Sequence, residues 1–184
     1  MNITFLLNHT HLLNPADGLV LCITINFGMK AIAYNIKPEE KECLVLANHK
    51  KHDITVIANS LSMETLPYAH GKEALILFNE DPLDEALIFG LKDLGIKYIA
   101  TSSFKTEHID LKAAGLAGFK IANVPFKIGE ELAMRRMQQV IKNLDKWAKG
   151  KCVGEACCCP NACRVHPVPV NVTTNGNTNT IKEI

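Results

Sequence analysis

The stretch GIKYIATSSFKTEHIDLKAAGLAGFKIANVP, residues 95–125, decides the fold. It contains two short runs with strand character, KYIATS (97–102) and FKIANV (119–124), separated by a turn and a helical segment. YIAT is apolar on both faces, which is typical of a strand that helices cover on both sides. The stretch therefore predicts a strand–helix–strand unit of a parallel sheet.

The same alternation runs from residue 29 onward. Three earlier strand-like runs are KAIAY (30–34), DITVIA (53–58) and EALILF (73–78), and helical segments such as PEEKECLVLANHKK and PLDEALIFGLKDLG separate them. In the second of these helices, Asp81 and Pro82 are predicted to form the N-cap and first turn, and Gly95 to mark its end. Right-handed crossovers then favour a flavodoxin-like α/β fold, a parallel five-stranded sheet with helices on both faces.

Composition and charge narrow the function classes. The chain has 184 residues, of which 47% are hydrophobic and 21% charged, so a single globular domain is expected. The net charge is +1 and the basic residues are scattered, so the sequence contains no basic cluster of the kind that binds nucleic acid. Of the seven cysteines, five crowd into residues 152–163, a distribution that suits a reducing compartment. We expect a cytoplasmic protein, monomeric and without a membrane or nucleic-acid partner.

Residues 1–28 require a separate interpretation. They carry no basic n-region, and the apolar run at 19–25 is too short to span a bilayer. This segment is predicted to be an extension, not necessarily native, that precedes a natural start at Met29. The alternative is an additional edge strand formed by LVLCITINF.

The C-terminal third has two parts. EELAMRRMQQVIKNLDKWAKG predicts one amphipathic helix over residues 130–149, with Gly150 as its stop. Its predicted apolar stripe comprises Ala133, Met137, Val140, Ile141, Leu144 and Ala148. Residues 151–184 are predicted to be a Cys-rich tail that is largely disordered.

Five tail cysteines are candidate metal ligands. They are Cys152, Cys157, Cys158, Cys159 and Cys163. Their number suits a zinc or iron–sulfur site, but the spacing C-x4-C-C-C-x3-C differs from paired C-x-x-C knuckles. The alternative is that these thiols are free or oxidised.

The segments KAIAYNIKPEEKECLVLANHKKHDITVI and 95–125 resemble the substrate-binding, or catalytic, domain of the D-isomer-specific 2-hydroxyacid dehydrogenases, in particular the D-lactate dehydrogenase branch. The resemblance covers residues 29–125. In that family, the chain leaves this domain after a Val-Pro pair, builds an NAD-binding Rossmann domain and returns through a C-terminal helix. The helix at 130–149 resembles the returning helix, including an Asn-Leu-Asp element at its end. The resemblance therefore implies a catalytic domain over residues 29–150 from which the NAD-binding domain has been deleted.

The resemblance also implies a function. The family transfers hydride between NAD and a small 2-hydroxy or 2-keto acid. This chain contains no G-x-G-x-x-G motif, and the family's catalytic Arg, Glu and His fall in the missing region. We therefore expect no catalytic residues here, no NAD binding and no activity of the chain by itself. The alternatives are a stand-alone module that binds a small anion or a partner protein, and a protein that handles metals or thiols through its tail.

The family's substrate-facing loops map onto two turns. They correspond to Phe78, Asn79, Glu80, Ser102, Ser103 and Phe104. The second turn lacks the Arg and Gly that relatives carry, and Glu80 and Asp81 would repel a carboxylate. These two acids are predicted to be solvated loop residues. Capping, loop or surface roles are expected for four of the seven histidines, which are His49, His52, His70 and His108.

Overall fold

The computed structural model describes residues 28–78, 80–125 and 133–159. The strands are β1 Lys30–Tyr34, β2 Asp53–Val56, β3 Ala74–Leu77, β4 Tyr98–Thr101 and β5 Lys120–Ala122. The helices are α1 Pro38–Asn48, α2 Glu85–Asp93, α3 Leu111–Ala117 and α4 Ala133–Ala148, and short 3-10 turns span Leu66–Ala69 and Gly154–Ala156. The five strands pair in the order β2-β1-β3-β4-β5, and every pair is parallel. The predicted α/β fold with its five-stranded parallel sheet is confirmed.

Two apolar layers lie on opposite faces of this sheet. Alternate side chains of β3 enter the two layers, Leu75 and Leu77 on one face and Ala74 and Ile76 on the other. The first layer packs against α2 and α3, and the second against α1 and α4. Because both faces are covered, the strands can be apolar at every position, as all four residues of β3 are.

The start of α2 differs from the prediction. The helix begins at Glu85, and the side chain of Asp84 caps it by accepting a hydrogen bond of 2.9 Å from the backbone N–H of Leu87. The predicted N-cap at Asp81 is therefore wrong. Leu83 instead forms a bridge with Ile109, which keeps the chain extended beyond Pro82. Gly95 follows the end of the helix at a φ of 92°, as its sequence position predicted.

Helix α4 docks on the sheet through its apolar stripe. Four residues of the stripe are buried as predicted, namely Met137, Val140, Ile141 and Leu144. Ala148 is exposed, and Trp147 is buried at the end of the helix where Ala148 was expected to be. The Trp147 ring lies 5.0 Å from the Tyr98 ring, measured between centroids. This contact joins the end of α4 to β4.

A buried amide fixes the position of α4 relative to β5. Asn143 is fully buried, and its Nδ2 donates to the carbonyl oxygen of Asn123 at 3.2 Å. Its Oδ1 accepts from Gln139 Nε2 at 2.8 Å. Because a buried amide is costly without partners, this pair of hydrogen bonds favours one position of α4 over any sliding along the sheet.

His52 is a core residue, contrary to the predicted solvated position. It is 6% exposed, and its Nδ1 accepts a hydrogen bond of 3.1 Å from the backbone N–H of Met29. Its Nε2 lies 3.3 Å from Asp145 Oδ1, and Lys51 Nζ contacts the other oxygen of this carboxylate at 3.0 Å. The histidine therefore links the start of β1 to α4. Burial lowers its pKa from the usual 6.5, although the Asp145 carboxylate partly opposes this.

We expect the free energy of unfolding to fall as the pH drops through 6.5, because the unfolded chain then protonates His52 more readily than the folded chain does. The stabilisation is complete above this value and is lost below it. Asparagine retains an acceptor near the Nδ1 position but does not titrate, so His52→Asn should reduce the slope of stability against pH. Urea unfolding between pH 5 and 8 measures the slope.

The matched control is His70→Asn, because His70 is exposed. If the His70 variant flattens the pH profile as much as the His52 variant does, His52 is not the source of the slope.

Residues 151–159 lie against the domain, beyond the boundary predicted at residue 150. Lys146 Nζ donates to the carbonyl oxygen of Val153 at 2.9 Å, and Val153 and Ala156 are buried. Cys157 then pairs with Ala122 in an antiparallel bridge at the edge of β5. Of the tail predicted to be largely disordered, residues 151–184, the part from 160 to 184 lies outside the described residues, as do residues 1–27 of the predicted extension. Within the described ranges, none of the helices has the length and apolar character needed to cross a membrane.

Candidate functional site

Polar side chains gather where β1, β3 and β4 end. Asn35 follows β1, Asp81 follows β3, Thr101 is the last residue of β4, and His108 lies in the loop before α3. We call these four residues the edge cluster. The carboxyl ends of parallel strands are where open α/β sheets bind ligands, so this is the candidate functional site.

Asn35 and Asp81 form one half of the edge cluster. Asn35 adopts a left-handed φ of 53° directly after β1, a conformation that asparagine tolerates better than most residues. Its Nδ2 donates to Asp81 Oδ1 at 2.7 Å, while Asp81 Oδ2 is buried and has no hydrogen-bond partner among the described residues. Asp81 is therefore a partly buried acceptor at the site, and the prediction of a solvated loop acid is wrong for it.

Thr101 and His108 form the other half. Thr101 is fully buried, and its Oγ1 lies 3.3 Å from His108 Nε2 while accepting a 3.1 Å hydrogen bond from the backbone N–H of Ser103. The His108 carbonyl oxygen accepts from Leu83 N–H at 2.8 Å, which ties its loop to the segment after β3. Asp110, not His108, caps α3. His108 is half-buried, so the predicted capping or surface role does not hold.

The site is electrostatically acidic. Burial lowers the pKa of His108, and the nearby charges of Glu80, Glu107 and Asp81 partly offset this effect. Lys105 Nζ lies 3.9 Å from Glu107 Oε2, and both side chains are mostly exposed. The edge cluster can exchange hydrogen bonds and, through His108, a proton. Its acidic surroundings disfavour an anion.

The residues predicted to face substrate differ in how deeply they are buried. Phe78 is fully buried in the second apolar layer, and Ser102 is 1% exposed with its N–H donated to the Leu77 carbonyl oxygen at 3.0 Å. Glu80 and Phe104 are exposed, and Ser103 is half-buried. Asn79 lies outside the described residues. Substrate binding at these positions remains a prediction.

Sequence reasoning missed Asn35 and Thr101 as members of the site. Both stand at the carboxyl ends of strands, Asn35 after KAIAY and Thr101 at the end of YIAT. A polar residue that closes an otherwise apolar strand was the available signal. Their pairing with Asp81 and His108 depends on loops from other parts of the chain, which no local pattern specifies.

The cysteine segment is a second polar feature, distant from the edge cluster in the sequence. Cys157 Sγ donates to Cys159 Sγ at 3.3 Å. Among residues 28–78, 80–125 and 133–159, no group of three or more His, Cys, Asp or Glu side chains is arranged to hold a metal ion. Cys163 lies outside these ranges, so the zinc or iron–sulfur site remains a prediction.

Comparison with known proteins identifies the class. The family model of the D-isomer specific 2-hydroxyacid dehydrogenase catalytic domain matches residues 31–157. The chain belongs to this family, and the resemblance found in its sequence is confirmed.

Individual relatives agree with this assignment. The aromatic 2-oxoacid reductase of Clostridium sporogenes is 28% identical over 139 residues, covering 68% of this chain and 42% of that protein. The apo-structure of D-lactate dehydrogenase from Escherichia coli is similar with a TM-score of 0.52 and 30% identity, over 54% of this chain and 32% of that one. The Salmonella D-lactate dehydrogenase gives a TM-score of 0.53 and 26% identity, over 66% and 37%. The chain therefore spans less than half the length of these relatives.

Proposed function

We propose that this chain is the catalytic domain of a D-2-hydroxyacid dehydrogenase that lacks the family's nucleotide-binding domain and does not transfer hydride by itself. The observation that carries the proposal is the short connection between β5 and α4. Only residues 126–132 join Pro125 to the start of α4, yet Val124 and Met137 are buried in the same apolar layer. This packing supports the proposal that α4 is the helix that, in the family, returns from the nucleotide-binding domain.

The residues at the candidate site do not fit NAD. Pyrophosphate sites of the dinucleotide type use a glycine-rich turn at the start of a helix, where backbone N–H groups approach the phosphates. The turns that follow β1, β3 and β4 read NIK, FNEDPLD and SSFKTEHID, without glycine. Glu80, Asp81 and Glu107 would in addition repel phosphate. These turns are therefore not expected to hold NAD.

The edge cluster also offers few groups that could bind the carboxylate of a 2-oxo or 2-hydroxy acid. A carboxylate needs a cation or several unpaired N–H donors. The backbone N–H groups of Ser102 and Ser103 already donate hydrogen bonds to other groups of the protein. This supports the proposal that the described residues of the edge cluster do not by themselves hold a substrate carboxylate. The scattered charge and the clustered cysteines support a cytoplasmic location.

The proposal is tested by isothermal titration of the purified chain with NADH. We expect no saturable heat, because the turns that follow β1, β3 and β4 contain no glycine to hold the pyrophosphate. Titration of Escherichia coli D-lactate dehydrogenase under the same conditions is the positive control. Saturable micromolar binding to this chain would overturn the proposal.

The coding DNA gives an independent check. Uninterrupted reading across the codons of residues 125–129 supports a deletion in the protein. An intron or an assembly gap at this point would restore a full-length enzyme and contradict the proposed truncation.

A further inference from the structure

The Cys157–Cys159 pair is a chemical feature that the dehydrogenase fold does not require. The two sulfurs lie 3.3 Å apart, with Cys157 as the hydrogen-bond donor and Cys159 as the acceptor. Cys152 lies close enough for its charge to affect the ionisation of Cys157. All three side chains are intermediate in exposure, so a small reagent can reach them.

The backbone around the pair is fixed by the sheet. Asn123 N–H donates to the Ala156 carbonyl oxygen at 2.9 Å, and Cys158 N–H donates to the Ile121 carbonyl oxygen at 2.9 Å. These hydrogen bonds hold the segment extended along β5. Because side chains alternate along an extended chain, Cys157 and Cys159 point to the same side and Cys158 to the other.

The burial of the neighbours agrees with this alternation. Cys157 packs against the apolar layer of α1 and α4, whereas Cys158 packs against the layer of α2 and α3. The adjacent thiols at 157 and 158 are thus directed to opposite faces of the sheet. Proximity in sequence does not make them partners, while the pair separated by one residue is already in contact.

We propose that Cys157 and Cys159 form a reversible intramolecular disulfide in response to a peroxide. Residues two apart in an extended chain have Cα atoms separated by about 6.6 Å, within the range of roughly 4.4–6.8 Å that disulfides span. The sulfurs need to approach by only about 1.3 Å to reach the bonded distance of roughly 2.05 Å. Because the Cβ atoms of a disulfide lie roughly 3.5–4.5 Å apart, closer than in an extended chain, the backbone between Cys157 and Cys159 also has to bend for the bond to close.

The reaction balances with one peroxide molecule. The Cys159 thiolate attacks one peroxide oxygen, the O–O bond breaks, and hydroxide leaves, so that Cys159 becomes a sulfenic acid. The Cys157 sulfur then attacks Cys159 Sγ, the S–O bond breaks, and the thiol proton leaves with hydroxide as water. The hydroxide from the first step takes up the proton that Cys159 released on forming its thiolate. In total, two thiols lose two electrons and the peroxide is reduced to two molecules of water.

The order of attack follows from the hydrogen bond and from burial. Cys159 Sγ accepts the S–H of Cys157, so the S–H of Cys157 is already engaged within the pair. Burial raises the pKa of Cys157 to about 11, so this thiol stays protonated at neutral pH and suits the second step. The Cys158 thiol, whose pKa burial also raises to about 11, is a poor first nucleophile.

The test is differential alkylation of the full chain in the presence of EDTA. The protein is treated with one equivalent of hydrogen peroxide, free thiols are blocked with a first alkylating reagent, and disulfides are reduced and labelled with a second. We expect the second label on Cys157 and Cys159 only. Reduction with dithiothreitol before blocking should abolish it completely.

Three variants make the test specific. Cys158→Ser is the matched control and should form the disulfide as the parent protein does, whereas Cys157→Ser and Cys159→Ser should each lose it. Far-UV circular dichroism checks that the variants fold, and the labelling of the unchanged protein decides the matter even if they do not. Second label on Cys152, Cys158 or Cys163, its absence from the parent protein, or its persistence in the Cys157 variant would each overturn the proposal.

Discussion

Mixing the purified chain with NADH and pyruvate is expected to give no turnover. Hydride transfer requires the nicotinamide to be held against the substrate carbon while an acid–base group lies within hydrogen-bond reach. Proton transfer alone contributes on the order of 10²- to 10⁴-fold to such reactions, and losing the orientation of the cofactor removes more. The edge cluster offers His108 as a proton donor but no means of binding the nicotinamide. The loss of NADH absorbance at saturating pyruvate measures the rate.

Contaminating host dehydrogenase is the main source of error in this assay. Escherichia coli D-lactate dehydrogenase defines full activity, and a preparation of His108→Ala distinguishes a contaminant from the chain itself. A rate that persists through further purification and falls in the His108 variant would show that the chain is an enzyme. The proposal of a non-catalytic domain would then be wrong.

Most of the fold could be predicted from the sequence, because its signals are local. All five strands coincide with strand-like runs that the sequence predicts. The signal is strongest for β3 and β4, because these strands are apolar on both faces. The helix stops at Gly95 and Gly150 were also visible, because glycine supplies the positive φ that ends a helix. Family resemblance added the expectation that α4 packs back on the sheet, which periodicity does not specify.

Features that depend on distant partners could not be predicted. Asp81 and Asp84 both suit an N-cap by residue type, and only the pairing of Leu83 with Ile109 decides between them. His52 looks like a polar loop residue, yet contacts with Met29 and Asp145 place it in the core. These outcomes reflect tertiary contacts overriding local preference.

The contacts of α4 bear directly on the proposed deletion. If the catalytic domain closes without an inserted domain, α4 has to contribute to its stability as a core element. Leu144 is fully buried in the layer that α4 shares with α1 and the sheet. Truncating a buried leucine to alanine costs about 2–5 kcal/mol, which is a large part of the 5–15 kcal/mol roughly typical of a domain.

We therefore expect Leu144→Ala to lower the free energy of unfolding by about 2–5 kcal/mol. Urea unfolding followed by tryptophan fluorescence measures this, because Trp147 is the single tryptophan of the chain and lies one turn further along α4. Lys142→Ala is the matched control: Lys142 is exposed on the same helix, and its truncation should change stability by no more than about 0.5 kcal/mol. If the two variants unfold at the same urea concentration as the parent protein, α4 is not docked in solution. The catalytic domain would then need another element to cover this face, and the structural basis of the deletion would be lost.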